Sequence, residues 1–244
     1  LEKINGESQG ASWDFRSGFQ SGVLRMAWGK DGSLFVGETN RGWGSAGDAN
    51  QGLQRLVWNN HVPFEMRTVN AKPDGFEITF TLPVDKKYAE DIASYNVESF
   101  IYKYQPVYGS PMVNIEKLTI KGVQVSPDGM KVRLVIDGLR QYYIHKLTLN
   151  GIRTRENAYS LVHPDVYYTL NNIPAGEKLA LSALSTKNSA LKTATTATKV
   201  ASAKADSTPA KPAAAKVLNY EQIKPLLNKY TCTSCHNPEK KQVG

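Results

Sequence analysis

Three of the chain's four Asp-Gly pairs, each set between short apolar runs, constrain it most: Asp31-Gly32, Asp74-Gly75 and Asp128-Gly129. Aspartate folds its carboxylate back onto the turn backbone, and glycine accepts the positive φ that tight hairpin turns need. Gly22–Trp28 and Ser33–Glu38 flank the first pair, and Gly52–Trp58 follows as a third strand. Beside the second pair, Phe64–Ala71 precedes Phe76, Ile78 and Phe80, which alternate with Glu77 and Thr79. The third pair separates Val123–Ser126 from Lys131–Ile136, where Val132, Leu134 and Ile136 share one face. Asn96–Tyr104, Tyr142–Asn150 and Val166–Leu170 complete the strands, with a short helical turn over Ala89–Tyr95. This period-two patterning predicts a mainly β chain of hairpin-joined strands. No run of 18 or more apolar residues occurs, so no helical transmembrane segment is expected.

The character changes at Ala175. Residues 175–216 are built from Ala, Lys, Thr and Ser and hold no aromatic residue. Such a stretch buries too little apolar surface to offset its ordering entropy, apart from transient helix around Glu177–Ala190. We expect a flexible linker of about 40 residues with a root-mean-square span of roughly 35 Å. The net charge of +8 sits largely here: from Ala175 on there are eleven Lys, no Arg and four acids, or +7. A nucleic-acid-binding domain spreads Arg and Lys over a folded face. A basic tether points instead to a solvated linker, or to steering toward an acidic redox partner. Beyond it, Ile223, Leu226, Leu227 and Tyr230 fall at helical spacing and predict an amphipathic helix in residues 217–231. Pro225 fits its first turn, where the missing N–H is harmless.

That helix runs into Cys232-Thr233-Ser234-Cys235-His236, which contains both cysteines of the chain. The spacing C-x-x-C-H is the c-type haem attachment signal. Two thiols add across the two haem vinyl groups, and the adjacent imidazole reaches the iron. A thioredoxin-like dithiol wants a βαβ setting, which the pattern lacks. A zinc site needs two more ligands nearby, and His61, His145 and His163 are far off in strand-rich sequence. The expectation is covalent haem c on Cys232 and Cys235, with His236 as the proximal axial ligand of the iron.

Three resemblances order these parts. Met26 to Gly37, then Asn40-Arg41-Gly42-Trp43-Gly44-Ser45 and Gly52-Leu53-Gln54-Arg55-Leu56, resemble the final blade of β-propellers of the glucose/sorbosone dehydrogenase type. A propeller closes with 4–8 blades, so the others would lie upstream of Leu1. Phe80-Thr81-Leu82-Pro83-Val84-Asp85 followed by Ala93-Ser94-Tyr95 resembles the opening of bacterial Ig-like domains of the surface-layer type, which space and orient their neighbours. The last 28 residues resemble the start of bacterial class I monohaem cytochromes c, including Lys240-Lys241-Gln242-Val243-Gly244. The resulting expectation is a propeller end over 1–62, an Ig-like β-sandwich over 63–174, the linker over 175–216 and a truncated α-helical cytochrome c domain over 217–244. By these resemblances the segment transfers electrons through haem c, received from an upstream dehydrogenase-like propeller that could carry a quinone cofactor, or passed to a redox partner protein. The alternative is a non-enzymatic surface or carbohydrate-binding protein with a haem module. Whether the whole protein is an enzyme stays open. A c-type haem is attached outside the bacterial cytoplasm, which implies a periplasmic or exported protein.

Weaker signals have plainer readings. Met26, Met66, Met112 and Met130 all precede the haem motif and read as packing residues rather than distal iron ligands. Asp48-Ala49-Asn50 offers too few acids for a calcium loop. Asp31, Asp74 and Asp128 read as turn residues, and His145 as a packed or surface histidine. His61 and His163 are expected in turns, and Arg41 and Trp43 are candidates for the rim of a propeller pocket.

Overall fold

The computed structural model describes residues 1–40 and 47–190. In chain order the strands are β1 (Glu2–Ile4), β2 (Glu7–Ser12), β3 (Val23–Trp28), β4 (Leu34–Thr39), β5 (Gln51–Leu56), β6 (Met66–Lys72) and β7 (Gly75–Phe80). A one-turn helix α1 (Lys86–Ala89) and a 3₁₀ turn (Ile92–Ser94) come next. They precede β8 (Asn96–Tyr102), β9 (Met112–Lys117), β10 (Thr119–Val125), β11 (Lys131–Asp137), β12 (Tyr143–Thr148) and β13 (Asp165–Leu170). The mainly β expectation holds, and every ladder between these strands is antiparallel.

Two larger sheets share one core. The four-stranded sheet runs β10-β11-β7-β6, and the six-stranded sheet runs β1-β2-β13-β12-β8-β9. Phe76, Ile78 and Phe80 of β7 and Val132, Leu134 and Ile136 of β11 bury against Val97, Leu147, Val166, Tyr168 and Leu170 of the opposite sheet. The alternation read from the sequence is therefore the inward face. Each fully buried side chain of this size contributes about 1.5–3 kcal/mol through removal from water. Gly75 starts β7 where a Cβ would collide with the Leu134 carbonyl of β11, so only glycine lets these central strands approach. The helical turn also forms where expected. The Asp85 carboxylate accepts the Lys87 N–H at 2.9 Å, and Asp91 accepts the Ala93 N–H at 3.0 Å, so each acid caps a short turn.

The structure departs from the sequence reading in three places. First, Glu2–Ser12 does not lie with the rest of 1–62. A turn at Asn5 (φ 51°) and Gly6 (φ 85°) folds β1 onto β2, and β2 pairs with β13 through Ala11 and Tyr168. The physical cause is a long-range polar hub. The Tyr168 hydroxyl donates to the Glu2 carboxylate and accepts from Gln9 Nε2 at 2.9 Å. Glu2 also accepts the Ala71 N–H of β6 at 2.7 Å. Second, β9 escapes the sequence pattern because all but one of its residues are exposed, which leaves no alternation to read. Third, 175–190 is not free linker. Leu179 and Ser185 to Ser189 bond to the four-stranded sheet and to the α1 region, and Leu184 is buried.

β3, β4 and β5 form a separate three-stranded sheet. Trp28, Met26, Leu34, Val36 and Leu56 share one of its faces by register. Val36 is covered, yet Trp28 and Met26 are 75% and 63% exposed. Leu53, on the opposite face, is also exposed. This sheet presents apolar side chains on both sides.

Candidate functional site

The expected haem-attachment residues Cys232, Cys235 and His236, the helix before them, Arg41 and Trp43 all lie outside the described residues. Their donor set can be tested on chemistry alone. Two thiols and an adjacent imidazole are what thioether attachment and axial ligation require.

Among the described residues, no three His, Cys, Asp or Glu side chains gather in a way that could hold a metal ion. The four methionines are dispersed. Met66 is buried in the core, Met26 and Met112 stand exposed on β3 and β9, and Met130 sits in the Asp128-Gly129 turn. Asp48 and Asn50 belong to the closure of the loop after β4. The Asn50 side-chain oxygen accepts from Asn40 Nδ2 at 2.8 Å, and its carbonyl accepts the Asn40 N–H at 3.0 Å.

Two of the Asp-Gly aspartates do what their turns need. Ser33 donates its hydroxyl and its amide to Asp31 Oδ1 at 2.7 and 3.1 Å. These bonds, with Arg55 beside them, hold the Asp31 carboxyl down to about 2. Asp128 is lowered likewise by Ser126 Oγ and by the Met130 N–H at 2.9 Å. Asp74 does more than close a turn. It is buried, forms an ion pair with Arg133 on β11, and accepts the Leu179 N–H at 2.7 Å. Burial pulls the Arg133 pKa below its usual value, and the Asp74 charge opposes that shift. Asp74 thereby fastens the segment after β13 over the outer face of β11.

The histidines divide three ways. His61 is exposed, and its carbonyl accepts the Trp58 indole N–H at 3.2 Å. His163 Nδ1 lies 2.6 Å from Glu65 Oε1, and its amide donates to Glu65 Oε2 at 3.2 Å, which pins the chain before β13 beside β6. His145 on β12 is fully buried with its ring 5.5 Å from Phe76. Burial lowers its pKa to about 4, so the ring is neutral near pH 7. Its Nε2 accepts the Arg140 N–H at 3.3 Å, which leaves the proton on Nδ1, an atom without a hydrogen-bond partner of good geometry among the described residues. The sequence reading of a packed histidine holds.

The described residues carry several concave surfaces, of which two stand out by volume. One, of 520 Å³, is apolar and lies on the three-stranded sheet against Phe15, Met26, Trp28 and Leu34. The other, of 570 Å³, is a cleft between Pro63-Phe64, Pro83 and the loop carrying Arg155, Tyr159 and Val162. Arg155 there is committed to the Asp128 carbonyl at 2.6 Å. A third exposed feature is the β8–β9 hairpin, where Tyr104 and Tyr108 are fully solvent-exposed beside Val107. Sequence reasoning passed over it because exposure of aromatics is set by where the hairpin projects.

No family model matches this chain, and no curated protein matches it. Two solved structures of a surface-layer protein do. The crystal structure of the S-layer protein rSbsC(31-844) is 18% identical over 48% of this chain, with a TM-score of 0.35. The structure of surface layer protein SbsC, domains 1-6, is 19% identical over 47% of this chain, with a TM-score of 0.34. The match spans 15% of the length of each of those chains. At these values the likeness carries no argument about function. What the described residues define is a mainly β protein of antiparallel sheets, in which no helix is long and apolar enough to cross a membrane.

Proposed function

We propose that this chain is part of an electron-transfer protein that holds haem c near its C-terminal end. The observation that carries the reading is Cys232-Thr233-Ser234-Cys235-His236, which uses both cysteines of the chain. Cys232 and Cys235 would hold the haem through thioether bonds, and His236 would supply a nitrogen ligand to its iron. The haem, when bound, provides a one-electron ferrous/ferric couple.

The two-sheet body is read as an Ig-like spacer and the three-stranded sheet as the last blade of a propeller. A sheet with apolar side chains on both faces needs a layer on each side, and exposed Trp28, Met26 and Leu53 support that demand. Electrons then come from substrate chemistry in upstream blades, which a quinone cofactor there would serve. The protein is periplasmic or exported, where haem c is attached. The experiment is expression of the extended protein with the c-type maturation machinery. A Soret band and a haem mass increment surviving denaturation are expected, both lost in Cys232→Ala and Cys235→Ala. Absence of covalent haem in the unsubstituted protein sinks the reading.

The fully exposed Tyr104 and Tyr108 favour a second reading, a surface or carbohydrate-binding protein carrying a haem module. Aromatic faces of this kind stack on sugar rings and other flat ligands. Reduction of the haem by a sugar or alcohol donor supports the first reading. Its absence, together with glycan retention that is lost in Tyr108→Ala, supports the second.

A further inference from the structure

Asparagine followed by glycine occurs twice in this chain, at Asn5-Gly6 and at Asn150-Gly151. The pair carries its own chemistry. The glycine nitrogen attacks the asparagine side-chain carbonyl carbon, with no Cβ on the glycine to hinder the approach. A bond forms between that nitrogen and Cγ and closes a five-membered succinimide. The side-chain nitrogen leaves as ammonia and takes the proton of the glycine amide. Water then opens the ring at either carbonyl. One opening gives aspartate. The other gives isoaspartate, whose main chain runs through the former side-chain carbons and is one atom longer.

The fold treats the two pairs differently. At Asn150-Gly151, after β12, the glycine N–H donates to the Ser94 carbonyl at 3.2 Å. A Cβ on Gly151 would collide with the Ser94 side chain, so the site is also crowded. That amide must leave its partner before it can turn on Asn150. Asn5-Gly6 is instead the two-residue loop that sets Ile4 of β1 opposite Glu7 of β2. Both residues are exposed and left-handed, at φ 51° and 85°, the turn that Asn-Gly favours. Nothing lies within 4 Å of the place a Gly6 Cβ would take. Among the described residues, neither the Asn5 side chain nor the Gly6 amide makes a hydrogen bond.

The length of a hairpin loop fixes the register of its strands. An extra main-chain atom at Asn5 moves Ile4 off Glu7. β1 is three residues long, and Glu2 at its start is the carboxylate that holds Tyr168 and the Ala71 N–H. We propose that Asn5 is a site of spontaneous deamidation and isoaspartate formation in the folded protein, and that this conversion withdraws Glu2 and unfastens β1 from the two-sheet body. The proposal does not depend on the haem reading.

The test is to age the full chain in mildly alkaline buffer and map its peptides. Asn5 is expected to gain the mass of an amide-to-acid conversion at least tenfold faster than Asn150, with isoaspartate as the larger product. In denaturant the two sites are expected to react within about threefold of each other, because glycine follows both. In the isoaspartate fraction the Ala71 amide is expected to exchange its hydrogen at least tenfold faster than in fresh protein. Fresh Asn5→Asp, which adds the charge without the extra atom, is expected to keep Ala71 protected. Equal rates at the two sites in the folded protein, or reaction of Asn5 in denaturant alone, overturns the site. An isoaspartate fraction with Ala71 still protected, or fresh Asn5→Asp with Ala71 equally exposed, overturns the unfastening by chain length.

Discussion

At the residue scale, the buried polar groups set how this body responds to pH and to substitution. His145 titrates at about 4 in the folded protein because burial penalises its charged form, against about 6.5 in an unfolded chain. The unfolded state therefore binds the proton first. Stability is full above pH 6.5 and is lost as pH falls from 6.5 toward 4, by on the order of 3 kcal/mol. Denaturant titrations across that window should show the loss, and His145→Leu should flatten this part of the profile. Asp74 gives a sharper case. Its ion pair with Arg133 is largely dry, with side-chain exposures of 7% and 10%. Asp74→Ala leaves a buried guanidinium without its partner and should cost about 3–5 kcal/mol, read as a shift in the denaturation midpoint at unchanged slope. From sequence, Asp74 looks like Asp31 and Asp128. Asp31 also pairs with an arginine, Arg55, but in the open; what separates Asp74 is that its pair with Arg133, 59 positions away, is buried, and no local pattern carries that.

At the scale of elements, hairpins were legible and partnerships were not. Phe76/Ile78/Phe80 and Val132/Leu134/Ile136 announce their inward faces because the side-chain period of a strand is two. The destination of β1 and β2 has no such signal. It is decided by the Glu2 carboxylate reaching Tyr168 and the Ala71 amide. Glu2→Ala should therefore loosen these two strands selectively, at a cost of about 1–3 kcal/mol for the acceptor removed from buried donors. Hydrogen exchange should quicken across Glu7–Ser12 while β7 and β11 stay protected. Uniform loss of protection in all sheets would show that β1 and β2 are not an attached layer but part of one cooperative unit. The segment after β13 teaches the same lesson. Its Ala-, Lys- and Ser-rich composition argues against a core, correctly, but a strap needs only backbone bonds and one leucine.

At the scale of the whole molecule, the two-sheet body closes a buried core between its sheets, whereas only Val36 among the apolar side chains of the three-stranded sheet is buried. Trp28, Met26 and Phe15 cluster open to solvent on one face, with Leu53 exposed on the other, and clustered exposure of this kind marks a contact surface. The chain in isolation should bind a hydrophobic dye at this face. Met26→Ser with Trp28→Ser should cut that fluorescence severalfold and leave the melting of the two-sheet body unchanged, which calorimetry can check. Persistence of the full signal in the double variant would place the sticky surface elsewhere.

The sequence alone determined the strand-rich class, the Asp-Gly turns and the inward faces of β7 and β11, and it carries the Cys-x-x-Cys-His spacing at positions 232–236 on which the proposed function rests. All of these rest on neighbours a few residues apart, where covalent spacing dictates geometry. Tertiary structure alone decided that Glu2–Ser12 joins β13, that Asp74 is a buried ion pair, and that Leu179 and Ser185 tie the segment after β13 to the four-stranded sheet. Each of those depends on groups tens of residues or more apart meeting in a dry interior. There the energy of an unpaired donor or charge, rather than the local pattern, chooses the partner.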